Sequence, residues 1–431
     1  MIQLVVWLGV CAVLALALRR RPVHGVCLAL LLWAAIPAVA AHHVTGHGVG
    51  PLAIHPATWL LLAQLVVGLA TNPRPLTRTL AVHPQASVAL AVFGAGVLAT
   101  TALTGMNGLR LLGDQIVGPL ALFWIVLAHA SGYPRRLSLL RNTLITIAAF
   151  ESVFAVVQFQ AGRLLVYESD YATLPWFDPG TFIRWMGTTD SPLVLSLTVC
   201  VAAPLVVGLR SAGLRLAPII TMLLGVVTAQ SRVGVAVMAL LLSYLLFRAR
   251  ATWPARTLYA GLLTIATIVL LDSQLVEGIS SRLTNDAGST DARRRALRTF
   301  VDLAPDYLLS GRGLTSNYDI ASEAGLRTSL ESSVLMYALD VGVVLALLYF
   351  GCQVVMSLLS VRGSTMQGAP VAALVGCAVQ HTFSAVGFSN LSGPLVWAVI
   401  ALAVAASPRW WPRAPGLSAR LRPTRRPVAA G

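Results

Sequence analysis

Residues 328–342 read TSLESSVLMYALDVG (Thr328–Gly342) and run straight on into VVLALLYF. The stretch is apolar enough to enter a bilayer, yet Glu331 stands at its mouth and Asp340 lies inside it. Similar apolar runs of about 17–25 residues recur along almost the whole chain, as expected of membrane-spanning helices. Of the 431 residues 57 % are hydrophobic and 11 % charged, where a soluble domain carries about a quarter charged. The expected fold is therefore all-α: a polytopic α-helical membrane protein with one large external loop.

About 12–13 spans fit, at about 2–18, 23–41, 54–71, 86–104, 115–130, 139–159, 190–208, 214–229, 232–247, 257–272, 331–350, 368–385 and 391–406. The first lacks a basic leader and a small-residue cleavage site, so it is expected to be a retained span. Residues 1–408 would form one transmembrane unit, and 409–431 a basic, disordered cytoplasmic tail. The net charge of +15 then reports topology rather than nucleic acid. Arg19–Arg21, Arg74, Arg78, Arg135, Arg136, Arg141, Arg210, Arg215, Arg248, Arg250, Arg256, Arg362 and the tail sort to one side, whose loops hold no acid. That side is expected to be cytoplasmic, with the active face outside. All basic residues are Arg, which beside abundant Ala is the bias of a GC-rich bacterial genome. Cys11, Cys27, Cys200, Cys352 and Cys377 fall in apolar runs, without disulfide or zinc spacing.

The long external stretches are about 160–189 and 273–330. In the first, FIRWMGTTDSPLVLSL sets Arg184 and Asp190 ahead of a span, and TAQSRVGVAVMALL sets Arg232 where the chain reverses. An Arg at such depth either snorkels or pairs, here with Asp190, or it serves as an anion clamp, its planar fork matching phosphate oxygens. In the second, Ser289 or Thr290 can cap a helix that begins with Asp291 and stops at Pro305. Leu297, Phe300, Val301 and Ala304 would form its apolar face, while Arg294, Arg295, Arg298 and Asp302 face elsewhere, as in a helix lying on a membrane surface. SGRGLTSN, with Arg312, follows as a turn whose amides could approach a phosphate.

Thr328 and Glu331 have capping-box spacing. Asp340 would lie about 13 Å further along that helix on the opposite side, paired with another span or lining a cavity. Glu151 and Gln158 share a face of one span, an intramembrane polar stripe that is either functional or hydrogen-bonded to a neighbouring helix. His42, His43, His47 and His55 match no standard metal signature, and no metal or other cofactor is expected. His381 reads as a polar contact between spans.

RWMGTTDSP, QSRVGVAVMALLL, DARRRALRTFVDLAPDYLLSGRGL and LESSVLMYALDVG, in this order, resemble the O-antigen ligase and O-antigen polymerase superfamily of bacterial membrane glycosyltransferases. The likeness covers about residues 180–350. It implies a metal-independent enzyme of the bacterial cytoplasmic membrane, working at the outer face in cell-surface polysaccharide assembly. Such an enzyme passes a polyprenyl-diphosphate-linked glycan to an acceptor sugar hydroxyl on a glycan or glycolipid. Arg184 and Arg232 are the positions it implies for the donor diphosphate. Asp190, Arg294, Arg295, Arg298 and Arg312 are candidates for lipid or glycan contacts, and Glu151 and Asp340 for an intramembrane polar site. Glu331 occupies the place of the ligase branch's His and would act as general base, if it is not simply a cap. Val233 stands where the family usually has Gly. The rival expectations are a transporter or flippase for the same lipid-linked glycan, and a non-catalytic scaffold of a glycan assembly complex.

Overall fold

The computed structural model describes residues 1–104, 108–174, 176–180, 184–247, 253–272, 287–326 and 330–408; side chains at 212, 255, 265–272 and 287–293 lie outside that description. The described chain is helical, without a strand. In order it forms α1 (Ile2–Ala17), α2 (Pro22–Ala35), the short α3 (His42–Thr45), α4 (Pro56–Thr71), α5 (Arg74–Val82) and α6 (Pro84–Leu103). There follow α7 (Leu109–Ala130), α8 (Pro134–Ala161), the short α9 (Glu168–Tyr171), α10 (Pro192–Gly208), α11 (Ala212–Thr228), α12 (Arg232–Phe247) and α13 (Trp253–Asp272). The remainder is α14 (Ala287–Leu303), α15 (Ser316–Glu323), α16 (Ser333–Val341), α17 (Val343–Val361), α18 (Ala369–Val379) and α19 (Ser392–Ala405). Helices α2, α4, α6, α8 and α10 each begin on a proline, which has no amide hydrogen to leave unpaired and a φ already set for the first turn.

Four helices are long and apolar enough to cross a membrane: α6, α7, α8 and α17. At 1.5 Å per residue, about 20 residues match the hydrocarbon thickness. Large apolar side chains stand exposed along the rim of the bundle, among them Val6 and Val13 on α1, Val88 and Val92 on α6, and Leu347, Val355 and Leu358 on α17. Lipid is the solvent that such a perimeter suits. The centre belongs to α19. All 14 of its residues are buried, as expected of a helix that is apolar all round, and it packs on α7, α10, α17 and α18. Trp397 Nε1 donates to Tyr349 Oη at 2.7 Å, and Tyr349 Oη reaches the Gln115 carbonyl at 3.3 Å. The polar atoms of Trp397 and Tyr349 are thus satisfied within the core, while the buried Tyr337 hydroxyl beside them makes no hydrogen bond.

Three expected spans change, the one expected at 368–385 being helical only over Ala369–Val379. The run expected at 23–41 is helical only to Ala35. The span expected at 331–350 is not one helix: Gly342, at φ +101°, separates α16 from α17, and α17 continues to Val361. The apolar run hides this break because both halves are buried or membrane-compatible in composition. The Gly311 segment lies against the break so closely that a Cβ at Gly311 would collide with the Asp340 carbonyl. Arg312 N donates to Leu339 O (3.2 Å), Gly313 N to Asp340 O (2.8 Å) and Val344 N to Leu308 O (3.1 Å). The large connection is thereby stitched to the broken helix.

Candidate functional site

The loop RWMGTTDSP is fastened to α8 by the polar stripe. Gln158 Nε2 donates to Gly187 O at 2.8 Å and its Oε1 accepts from Gly187 N at 3.0 Å. Glu151 accepts from Thr188 N at 2.7 Å and from Thr188 Oγ1 at 2.9 and 3.0 Å. Glu151 and Gln158 are both buried, so the expected stripe is real, and it holds a loop rather than another helix. Gly187 has φ +67°, and a Cβ there would lie 2.8 Å from the Glu151 carbonyl oxygen. Thr189 adds a further fixed point, its carbonyl accepting from buried Tyr171 Oη at 2.8 Å.

This anchoring sets Asp190 in the wall of a cavity of about 460 Å3, at the end of the bundle that carries the long connections. The wall draws on five separate segments, through Val39, Arg110, Trp176, Tyr318 and Ser389 besides Asp190. Asp190 Oδ1 accepts from Ala38 N at 2.6 Å, while Oδ2 is buried and makes no hydrogen bond. Burial raises its carboxyl to about 7, against the opposing pull of the Ala38 amide, the Arg110 charge and the Leu391 amide. Arg110 donates to Ala38 O (3.1 Å) and Gly48 O (3.3 Å), and its buried Nε has no partner. Asp190 therefore feels Arg110, not Arg184, and the expected Arg184–Asp190 pair is corrected.

The cavity floor is held from below. A π-helical turn at Leu112–Val117 within α7 aims two successive polar residues at the segment before α19, a use typical of π turns at functional sites. Asp114 accepts from Ser389 Oγ (2.6 Å), Thr58 Oγ1 (2.7 Å) and His55 N (3.0 Å). Gln115 Nε2 donates to the carbonyls of Phe388 (3.0 Å) and Asn390 (2.8 Å), and its Oε1 accepts from Gly393 N (3.0 Å). His55 Nε2 donates to Ile36 O at 2.7 Å and the ring stacks on Trp33 at 3.5 Å, so this histidine is structural.

Arg184 Nε donates to Ala229 O at 3.1 Å, and Trp185 N to Thr228 O at 3.2 Å. The turn between α11 and α12 that carries Arg232 is thus brought against the Arg184 strand of loop. Neither arginine lines the cavity. Ser231 Oγ bridges to Ser196 Oγ at 2.6 Å and accepts from Gly234 N at 3.1 Å, which fixes the start of α12.

Glu331 departs from expectation. α16 begins at Ser333 with Ser332 at its N-cap, so Glu331 precedes the helix instead of standing in its first turn. Its φ is +51°, a left-handed conformation costly for a residue with a Cβ and most common where function constrains the chain. With the helix starting later, the helical separation of Glu331 from Asp340 lapses as well. Asp340 is buried and caps α15, accepting from Asn317 N (2.8 Å), Asn317 Nδ2 (2.7 Å), Ser316 Oγ (3.1 Å) and Thr315 N (3.2 Å). It holds the large connection in place.

On α14, Ala296 is buried and Phe300 and Leu303 pack with it on Tyr307, Ile320 and Leu339. Leu297 and Val301 point outward, splitting the expected apolar face; Arg294, Arg295 and Arg298 are exposed. Arg312 lies over the Tyr307 ring at 5.7 Å. His381 packs edge-on against Phe350 rather than making a polar contact there. α14 begins at Ala287, so Ser289, Thr290 and Asp291 lie inside the helix and the expected cap at Ser289 or Thr290 is corrected; the expectations for Thr328 and the 409–431 tail fall outside the described residues. Sequence reading missed Arg110, Asp114, Trp176 and Tyr318; the signal was GLRLLGDQ, a cation and an acid within one turn at the start of an apolar run. No protein-family model and no curated protein matches the chain.

Proposed function

We propose that this chain is a membrane glycosyltransferase that joins a lipid-diphosphate-linked glycan to an acceptor sugar hydroxyl. The observation that carries the proposal is the cavity whose wall presents an unpartnered acceptor on Asp190 and an unpartnered donor on Arg110, beside the exposed ring of Trp176. Sugars are held by such sets of polar atoms next to an aromatic face. In this reading the shorter apolar helices α1, α2, α4, α10–α12, α18 and α19 join the four long ones in a bundle of about 12–13 spans. The cavity then opens on the outer face of a bacterial cytoplasmic membrane, opposite the arginine-rich loops.

The acceptor hydroxyl gives its proton to Asp190, whose raised carboxyl suits a base working near neutrality. The oxygen attacks the anomeric carbon of the donor, and the bond to the lipid diphosphate breaks with inversion. Arg184 and Arg232 stabilise the diphosphate charge as it develops. Arg294, Arg295, Arg298 and Arg312 lie where headgroup or glycan phosphates would meet them. Glu331, which the family resemblance implies as base, precedes α16 and, like Arg184 and Arg232, lies outside the cavity lining; the base is assigned to Asp190 because its carboxylate is in that lining.

The test is turnover of a lipid-linked glycan with a sugar acceptor by the purified protein in detergent. Asp190→Asn should abolish product, Arg184→Gln and Arg232→Gln should slow it at least about a hundredfold, and Glu331→Gln should retain most of it. Loss with Glu331→Gln but not Asp190→Asn would return the base to Glu331. No product from wild type, together with movement of the lipid across liposomes, would replace the enzyme with a flippase.

A further inference from the structure

A second cluster lies at the rim of the same end. His42 and His43 on α3 meet Asp170 on α9, 127 residues later in the chain. His43 Nε2 stands 3.1 and 3.2 Å from the two Asp170 oxygens, and His42 Nε2 stands 3.7 Å from Oδ1. The two rings lie 4.0 Å apart, and one ligand atom from each of the three residues falls within 4.8 Å of the others.

The arrangement leaves one contact unexplained by hydrogen bonding. His42 Nδ1 donates to Val39 O at 2.9 Å, which in a neutral ring leaves Nε2 as a lone pair. That nitrogen faces a carboxylate oxygen at 3.7 Å, a contact that a proton on Nε2 or a shared metal cation would each satisfy. A histidine whose other nitrogen is tied to a backbone carbonyl is the usual form of a metal ligand. In a tetrahedral zinc site the ligand atoms are about 3.3 Å apart, given metal–ligand bonds of about 2.0–2.1 Å. With its ligand atoms within 4.8 Å of one another, the cluster would close by up to about 1.5 Å at its widest pair to reach that.

We propose that His42, His43 and Asp170 form a binding site for one divalent ion of the zinc class, with an open position for water. Two imidazoles and one carboxylate suit Zn(II), Co(II), Ni(II) or Cu(II), and not Mg(II) or Ca(II), which take oxygen ligands. The side chains are accessible, with relative exposures of 40 % for His42, 56 % for His43 and 14 % for Asp170. The framework is fixed: Asp170 is followed by buried Tyr171, tied to Thr189, and α3 ends on left-handed Gly46. The ion would clasp the connection after α2 to the one after α8, which supply Val39 and Trp176 to the cavity wall.

The experiment uses the tag-free full chain in detergent, washed with chelator. Zn(II) is titrated against a chromophoric chelator, and Co(II) is followed by its visible absorption. One equivalent per chain is expected, with a tetrahedral Co(II) band and a raised Tm. His43→Ala and Asp170→Asn should each weaken binding at least about tenfold, while His47→Ala leaves it unchanged. Absence of binding by wild type, or full binding by the His42→Ala/His43→Ala/Asp170→Asn triple variant, would overturn the site. Equal Tm of the metal-free variants and wild type shows that folding is not what changed.

Discussion

Asp190 is where one side chain has the most to say about the molecule. Its carboxyl is raised from 3.8 to about 7 by burial, so the folded state holds its proton more tightly than the unfolded state does. Its stabilising contribution is therefore complete below the unfolded value and is lost as pH rises towards the folded one. At pH 8 the Asp190→Asn protein should be more stable than wild type, by at most about 4 kcal/mol, and the gap should close by pH 4. Thermal unfolding in detergent across that range checks it; a gap independent of pH would mean that the carboxyl titrates normally. Sequence reading singled out Asp190 as a charge ahead of a span and offered an arginine such as Arg184 as one of its alternatives for a partner. Arg110 lies 80 positions away in sequence, and nothing local to either residue announces that five connections fold together around them.

Among the elements, the joint between α16 and α17 is the least legible. LMYALDVGVVLALLYF reads as one span because hydropathy cannot see a φ of +101°, and the only clues are the acid and the glycine at its centre. The glycine here is a steric necessity: a Cβ at Gly342 would sit 2.8 Å from the Leu309 carbonyl carbon. Gly342→Ala should cost about 2–4 kcal/mol, read as a fall in Tm, whereas Gly351→Ala, inside α17 where a Cβ meets nothing within 4 Å, should leave Tm unchanged or raise it. Gln158→Leu should be costly too, because it leaves both backbone polar groups of Gly187 unpaired in the interior, at about 1–3 kcal/mol each. Recovery of stability by Gln158→Glu at low pH would support the same account, since a protonated carboxyl can again both accept and donate. The stripe of Glu151 and Gln158 was legible from spacing alone; that its partner is a loop was not, because Gly187 and Thr188 contribute mainly backbone atoms.

For the whole molecule, helix starts lie within about five residues of the hydropathy reading wherever proline marks them, while helix ends stray, as α2 does, and so do positions where a break is made by packing. Sidedness rests on the arginines. A cysteine in place of Val49, which is 87 % exposed, should react with a membrane-impermeant maleimide on intact cells, and one in place of Arg20 only after permeabilisation. The reverse pattern would invert the bundle and remove the cavity from the outer surface. The buried state of α19 has a consequence for how the protein is made. Its partners α7, α10, α17 and α18 all precede it in the chain, so each is synthesised before the helix that fills the space between them. Until Trp397 arrives, Tyr349 has no indole to receive and the Gln115 side chain has no Gly393 amide. The growing protein must therefore wait, half assembled, with an open slot along its axis, and that interval is when membrane chaperones and proteases would find it.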